Sequence, residues 1–269
     1  FYNKEICSNR VKRGKILKGL TPEVLDSREN FYKYKLAKGD LLSSIIDVPL
    51  FDTFLDWSLH NLWIKKEKDQ SFKKTCKTFY IDKTINRLKK FYKYNNLEDG
   101  CSNINGYDIP PIREMLEEID LDWLCTDIPY KFHGDYILDN IILENNSNFK
   151  LIDWRQDFGG EINTGDIYYD LAKLNHNLLF NHEIINQGHY KLETIKNKTR
   201  CDIFRSDILT DCREKLHSFI KNNGFDLKKV KLLTALIWLN MSPLHGPKLG
   251  RFLYYLGKIN LYKIIKNVS

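Results

Sequence analysis

Three polar side chains in the middle of the chain have the types and the spacing that phosphoryl transfer requires. Asp135 closes an H-G-D run that begins at His133, Asn140 follows five residues later, and Asp153 comes 13 residues after Asn140. In phosphoryl transfer, one carboxylate orients the acceptor hydroxyl and takes its proton, while another carboxylate and an amide oxygen hold Mg²⁺ against the nucleotide phosphates. Such hard oxygen ligands suit Mg²⁺, which keeps several of its waters. The spacing therefore predicts a nucleotide- and magnesium-dependent transfer site.

A β-hairpin is the element that must position these side chains. The segments Asn140–Glu144 and Phe149–Asp153 are short, apolar and β-branched, and the four residues between them are turn formers. The hairpin would place both metal ligands on one rigid scaffold within reach of one ion. The imidazole of His133 can brace the preceding loop.

Most of the remaining chain is predicted to be helical, because its apolar residues recur at helical spacing. A second, polar hairpin is predicted from Glu23–Asp26 and Phe31–Leu36. Together these elements predict an α+β fold. The predicted helices are Lys4–Leu20, a segment that opens at Asp47, Phe72–Tyr94, Ile112–Leu124, Asp166–Phe180, Arg205–Asn222, Leu227–Asn240 and Lys248–Ile265.

These motifs resemble those of the aminoglycoside phosphotransferase and choline kinase group, the small-molecule branch of the protein-kinase-like fold. Protein kinases have H-x-D, an Asn five residues after that Asp, and then an Asp that begins a metal loop. In the resembled group the first motif typically reads H-G-D, and the second reads I-D followed by Phe or Trp, as at Ile152 to Trp154 here. Residues 165–172, G-D-I-Y-Y-D-L-A, are similar to the group's G-D…D-L-A segment.

The resemblance implies a role for each residue that matches a motif. Asp135 would be the catalytic base, and His133 would support its loop. Asn140 and Asp153 would bind Mg²⁺ and, through it, the phosphates of ATP. Asp170 would be a structural brace near the start of a helix.

The resemblance also implies two unequal parts. Residues 1–38 would be a remnant of the N-terminal lobe, with a helix, two strands and the hinge, and residues 39–269 would be the helical catalytic and acceptor-binding lobe. The sequence has no G-x-G-x-x-G and no Lys in a strand followed by a helix. We therefore expect the chain to begin after the Lys-bearing strand of a longer protein, and to bind nucleotide weakly alone. Glu5 would pair with that Lys, and the backbone near Lys35–Gly39 would bind the adenine edge.

The acceptor site is expected in the helical lobe, where Trp154, Asp157 and His245 are the candidates. The stretch from Asp153 to Gly165 is too short for an activation loop, which favours a small-molecule hydroxyl acceptor over a protein. The acceptor is then an amino alcohol such as choline, or a sugar or envelope precursor. An aminoglycoside is less favoured, because the C-terminal half has no dense acidic cluster for a polycation.

Composition and charge exclude several other classes. Hydrophobic residues make up 42% of the chain, which excludes general disorder. No apolar run approaches the roughly 20 residues of a membrane-spanning helix, no signal peptide is visible, and the six cysteines form no C-x-x-C pair, so we expect a cytoplasmic protein without membrane insertion. The net charge of +7 is spread out, and the basic segment Lys4–Lys18 is interpreted as a solvated helix face rather than a nucleic-acid site.

A non-catalytic alternative remains open. The chain would then be a kinase-like ligand-binding module within a larger protein, an interpretation favoured by the absence of the strand Lys from the sequence. The intact set of Asp135, Asn140 and Asp153 argues for an enzyme instead.

Overall fold

The computed structural model describes residues 2–145 and 147–268, and shows a mixed α and β protein of which about half is helical. Most of the predicted helices are present with nearly the predicted bounds. The helices are α1 (Lys4–Ile16), α2 (Leu42–Ile45), α3 (Val48–Asn61), α4 (Phe72–Lys77), α5 (Lys83–Asn95), α6 (Ile112–Glu117), α7 (Leu121–Leu124), α8 (Ile167–Leu179), α9 (His182–Asn186), α10 (Asp207–Asn222), α11 (Leu227–Met241) and α12 (Pro247–Ile265).

Two predicted helices differ in detail from the structure. The helix predicted over Phe72–Tyr94 is continuous but widens into one π turn at Thr78–Asp82, between α4 and α5. The segment Ile112–Leu124 is two short helices, because Asp120 caps the second with its carboxylate, which accepts from the N–H groups of the first residues of α7. Among the described residues, no helix combines the length and the apolar character needed to cross a membrane.

The strands form three small sheets. Both predicted hairpins are present, as the pairs β1–β2 and β6–β7, and β3 adds a third strand beside β6. The strands are β1 (Val24–Ser27), β2 (Tyr32–Tyr34), β3 (Asp40–Leu41), β4 (Ser102–Ile104), β5 (Tyr107–Ile109), β6 (Ile141–Asn145), β7 (Asn148–Leu151), β8 (Tyr190–Ile195) and β9 (Lys198–Ile203).

The third sheet, in the order β5-β4-β9-β8, was not predicted from the sequence. The part of the chain after residue 38 is therefore mostly helical, as expected, but contains this sheet in addition to the predicted hairpin. The sequences of β8, Y-K-L-E-T-I, and β9, K-T-R-C-D-I, alternate between more buried and exposed positions, which is a strand signal that was overlooked. Lys196 and Asn197 between them both have positive φ, as a type I′ hairpin turn requires.

Helix α8 is the centre of the core. Every residue from Tyr169 to Leu179 is buried, and the helix packs against α10 and α11. A helix buried all round normally carries apolar residues, yet α8 includes the buried polar side chains of Asp170 and Lys173. Buried polar groups need partners, and both of these side chains find theirs in the loop that contains Asp135.

Helix α1 is fastened to the same loop by the buried guanidinium of Arg13. Its Nε donates to the carbonyl of Arg155 at 2.9 Å and its Nη1 to that of Ile162 at 3.1 Å. Its Nη2 donates to the carbonyls of Phe132 at 2.6 Å and His133 at 3.2 Å. The guanidinium also lies 3.9 Å from the centroid of the Phe132 ring. One side chain thus satisfies four carbonyls of the loops around the site.

Replacing Arg13 with Met should destabilise the fold strongly. The variant keeps an apolar stem but leaves the carbonyls of Phe132, Arg155 and Ile162 without a donor, while that of His133 still accepts from the N–H of Arg155 at 3.1 Å. Each unsatisfied buried group costs about 1–3 kcal/mol. We expect the free energy of unfolding, measured with urea, to fall by about 3 kcal/mol or more. Lys12→Met, at an exposed position of α1, is the control and should change it by less than about 0.5 kcal/mol. An R13M variant as stable as wild type would show that other groups satisfy these carbonyls.

Candidate active site

The β6–β7 hairpin brings Asn140 and Asp153 to the same end of two paired strands. The antiparallel register pairs Ile141 with Leu151, and the N–H of Ile152 donates to the carbonyl of Asn140 at 2.9 Å. Asn140 and Ile152 are therefore direct neighbours across the hairpin, and Asp153 is the next residue along the chain. The hairpin predicted from the sequence does place these two residues together.

The carboxylate of Asp170 holds the H-G-D loop from below. It accepts from the N–H groups of His133 at 2.8 Å and Gly134 at 2.7 Å, and from the indole of Trp63 at 3.2 Å. Gly134 has a φ of +88°, and a Cβ there would lie 2.6 Å from the Cβ of Arg155. Only glycine fits this turn without strain. Asp170 thus makes the contacts of a brace for the loop.

His133 joins this loop to the hairpin in its neutral form. Its Nε2 lies 3.0 Å from the carbonyl of Ile152, and its Nδ1 lies 3.3 Å from the N–H of Asp135. Nδ1 must accept there, so Nε2 carries the proton and donates to Ile152. Burial lowers the pKa of His133 to about 4, although the charge of Asp135 opposes this. The imidazole is therefore uncharged at neutral pH and acts as a spacer between the two motifs.

Asp135 is kept ionised by Lys173. Burial alone would raise the pKa of Asp135, but the ammonium of Lys173, 2.7 Å from its Oδ1, contributes to holding that pKa at about 2. The side-chain amide of Asn140 donates to the backbone carbonyl of Asp135 at 2.9 Å, with the carboxylate Oδ2 at 3.4 Å. A fixed, negatively charged carboxylate results, oriented from two sides.

The donor set at the base of the hairpin fits Mg²⁺. Because Nδ2 of Asn140 is committed to Asp135, its Oδ1 is the atom left to bind a metal ion. Asp153 adopts a φ of 54°, which costs an L residue about 1 kcal/mol or more, and its side chain is 57% exposed. Among the described residues no three His, Cys, Asp or Glu side chains form a metal cluster. Two oxygen ligands with room for waters are what Mg²⁺ accepts.

Helix α1 contributes Arg10 to the site. Glu5, the residue of this helix that the sequence predicted to act there, does not lie at the site. The guanidinium of Arg10 forms an ion pair with the carboxylate of Asp153. The side chain of Glu5 is exposed in the first turn, and no hydrogen bond or ion pair joins it to another described residue. A positive charge from α1 therefore lies at the predicted metal ligand.

The three acceptor candidates do not line the cleft that contains Asp135. Trp154 is completely buried, and its indole donates to the carbonyl of Arg10 at 2.7 Å. The carboxylate of Asp157 accepts from the N–H of Gly160 within its own loop. His245 is exposed where α11 gives way to α12. The structure thus places one of the three in the core and two outside the cleft.

The cleft itself has a volume of about 180 Å³ and is lined by residues that sequence reasoning missed. Its basic walls include Lys173 of α8, Lys83 and Arg87 of α5, and Arg155. Lys173 carried a local signal, since it stands three residues after Asp170 and so shares its helix face. Nothing local connects α5 to Asp135, because their proximity arises only from packing.

Comparison with family models, with curated proteins and with solved structures gave no match for this chain. The chemical interpretation of the site therefore depends on the residues and distances described above.

Asp170 should make the free energy of unfolding depend on pH. Burial raises its pKa to about 6, although the N–H groups of His133 and Gly134 oppose this. An unfolded Asp titrates near pH 4, so the folded chain binds the extra proton between about pH 4 and 6. The stability that Asp170 contributes is therefore largest below pH 4 and falls as the pH rises.

The comparison of wild type with Asp170→Asn isolates this titration. We expect the difference in unfolding free energy, wild type minus variant, to fall by about 2 kcal/mol between about pH 4 and pH 6.5 in urea denaturation. Asp211→Asn, exposed on α10, controls for the loss of one carboxyl group. A difference that stayed constant over this range would contradict the assignment.

Proposed function

We propose that the chain is a small-molecule kinase, which moves the γ-phosphoryl group of ATP to a hydroxyl of a small molecule with Mg²⁺. The observation that carries this proposal is the ionised carboxylate of Asp135, which is paired with Lys173 in a cleft and contacts Asn140, the neighbour of Asp153 across the hairpin. The resemblance of the motifs to the aminoglycoside phosphotransferase and choline kinase group supports the same reaction.

In the proposed reaction, Asp135 orients the acceptor hydroxyl and receives its proton, which then passes to water. The acceptor oxygen forms a bond to the γ-phosphorus while the bond from that phosphorus to the bridging oxygen breaks, and the electron pair leaves on ADP. With a pKa of about 2, Asp135 is a weak base and takes the proton late. That suits a loose transition state in which positioning and electrostatics dominate.

Asn140 and Asp153 would hold the metal ion, which neutralises charge on the phosphate oxygens when it is bound. Arg10 lies at the same carboxylate and would supply a further positive charge for the phosphates. The segment between β2 and β3 is the proposed hinge for the adenine. At its end, Gly39 has a φ of 142°, and a Cβ there would lie 2.0 Å from the carbonyl oxygen of Leu143, so the backbone runs tightly against β6.

Removal of the base tests the proposal directly. Asp135→Asn keeps the shape of the side chain but removes the proton acceptor, and we expect kcat to fall by about 10²–10⁴-fold. The measurement is acceptor-dependent ADP release with Mg²⁺, for choline, ethanolamine, sugars and aminoglycosides, using the chain with any residues that its gene encodes upstream. Asp139→Asn, a carboxylate of the same loop that contacts Asn177 and His182 instead, should keep most of the activity. Nucleotide binding without turnover on any acceptor would favour the non-catalytic module.

Lys173 should determine the pH at which kcat/KM falls on the acid side of its pH profile. In Lys173→Met, burial of Asp135 is no longer opposed by the ammonium, so its pKa should rise from about 2 to above the ordinary value near 4. We expect the acid limb of kcat/KM to move to higher pH by roughly 2 pH units. A lower kcat with an unchanged acid limb would restrict Lys173 to a structural role.

A further inference from the structure

The cleft beside Asp135 has a large excess of positive charge. Arg10 is paired with Asp153, and Lys173 with Asp135. Among the described residues, the other three cations have no carboxylate partner. The five cationic side chains that line the cleft are Arg10, Lys83, Arg87, Arg155 and Lys173, and its lining includes one carboxylate, that of Asp135.

Lys83, one of the three cations without a carboxylate partner in the described part of the chain, lies close to two aromatic rings. Its Nζ lies 3.5 Å from the centroid of the Phe79 ring and 5.6 Å from that of Tyr169. The guanidinium of Arg155 lies 5.0 Å from the same Phe79 ring. Two cations thus lie against one aromatic ring at the wall of the cleft, and such contacts offset only part of the cost of removing them from water.

The three unpaired cations also repel one another. Burial lowers the pKa of Lys83 well below its ordinary value, and the charges of Arg155, Arg87 and Lys173 add to this, while Asp157 opposes it. A bound anion would relieve this repulsion and favour the charged form of Lys83. A cleft of one sign also concentrates ligands of the opposite sign.

The wall of the cleft also contains a buried amide whose orientation is fixed by its partners. The side-chain amide of Asn240 donates to Thr84 Oγ1 at 2.6 Å and to the carbonyl of Leu236 at 2.8 Å. Both partners accept, since Thr84 gives its own proton to the carbonyl of Tyr80, and so the amide orientation is fixed. The buried Oδ1 of Asn240 then has no hydrogen-bond partner among the described residues.

We propose that the acceptor is a small organic anion, whose phosphate or carboxylate binds Lys83, Arg87 and Arg155 while its hydroxyl reaches Asp135. This inference rests on the proposed function and names its substrate class. The volume of about 180 Å³ is below the ~300–1,000 Å³ of pockets for drug-sized ligands, which suits a molecule of few carbons. Choline and aminoglycosides are cations and would be repelled. The transfer itself is the one described above, so the product carries a phosphoryl ester beside the original anionic group.

The test uses pairs of acceptors that differ by one anionic group: glycerol 3-phosphate and glycerate against glycerol, and glucose 6-phosphate against glucose. We expect kcat/KM of wild type to be at least about tenfold higher for the anionic member of a pair. Lys83→Met should raise the KM for that acceptor by about tenfold and leave the KM for ATP unchanged. Lys90→Met, exposed on the same helix α5, is the matched control. Arg87→Met repeats the test if K83M fails to fold.

Calorimetry with inorganic phosphate separates the inference from the proposed function, because it needs no turnover. Phosphate binding that is weakened in K83M but not in K90M would support the anion site. If K83M weakens phosphate binding but wild type turns over no acceptor, the anion site is supported and the proposed kinase activity is refuted. If wild type prefers neutral or cationic acceptors and K83M has an unchanged KM for them, the anionic acceptor is ruled out while the proposed kinase activity stands. A raised KM for ATP alone would assign these cations to the nucleotide and would also overturn it.

Discussion

The buried cation of Arg13 is the interaction on which the geometry of the site depends. It donates from α1 to the carbonyls of the loops around Asp135, while Asp170 accepts the N–H groups of the H-G-D turn from the side of α8. One helix thus binds the acceptors of the loop backbone and the other binds its donors. Since unpaired buried polar groups are costly, neither helix can shift without loss. Burial lowers the pKa of Arg13 only to about 10, so it stays charged at neutral pH.

The positive charges that line the cleft have two consequences. Lys173 keeps Asp135 ionised, and so ensures that the carboxylate can accept a hydrogen bond from a hydroxyl at any ordinary pH. The neighbouring cations of α5 and Arg155 favour negatively charged ligands in the space in front of it. In the proposed reaction the same cleft would therefore offer a carboxylate to the hydroxyl of the acceptor and cations to its anionic group.

Local patterns were sufficient to predict the centre of the site but not its surroundings. The H-G-D run, the turn-forming tetrapeptide and the spacing to Asp153 place their residues within one hairpin and its preceding loop, so short-range geometry decides the outcome. Arg10 and Glu5 differ only in which face of α1 they occupy, and that helix has too few apolar residues to define its face. Lys83 and Arg87 join the site through packing of α5 across the fold, which no local pattern reveals. Strands β8 and β9 do alternate in the sequence, but their apolar positions are few, and their pairing with β4 connects segments about 95 residues apart, which no local pattern reveals.

The parallel pairing of β4 with β9 has a consequence for how the molecule assembles. Asn103 pairs with Lys198 and Ile104 with Thr199, so the H-G-D loop, the hairpin and α8 all lie within one long closed loop of the chain. Closing so long a loop is entropically costly, and non-local pairing is slow, whereas β6 and β7 are neighbours in sequence and pair locally. Helix α5 lies outside the closed loop. We therefore expect Asp135 to acquire its neighbours in the hairpin early in folding, and the cations Lys83 and Arg87 to join the cleft only when α5 docks.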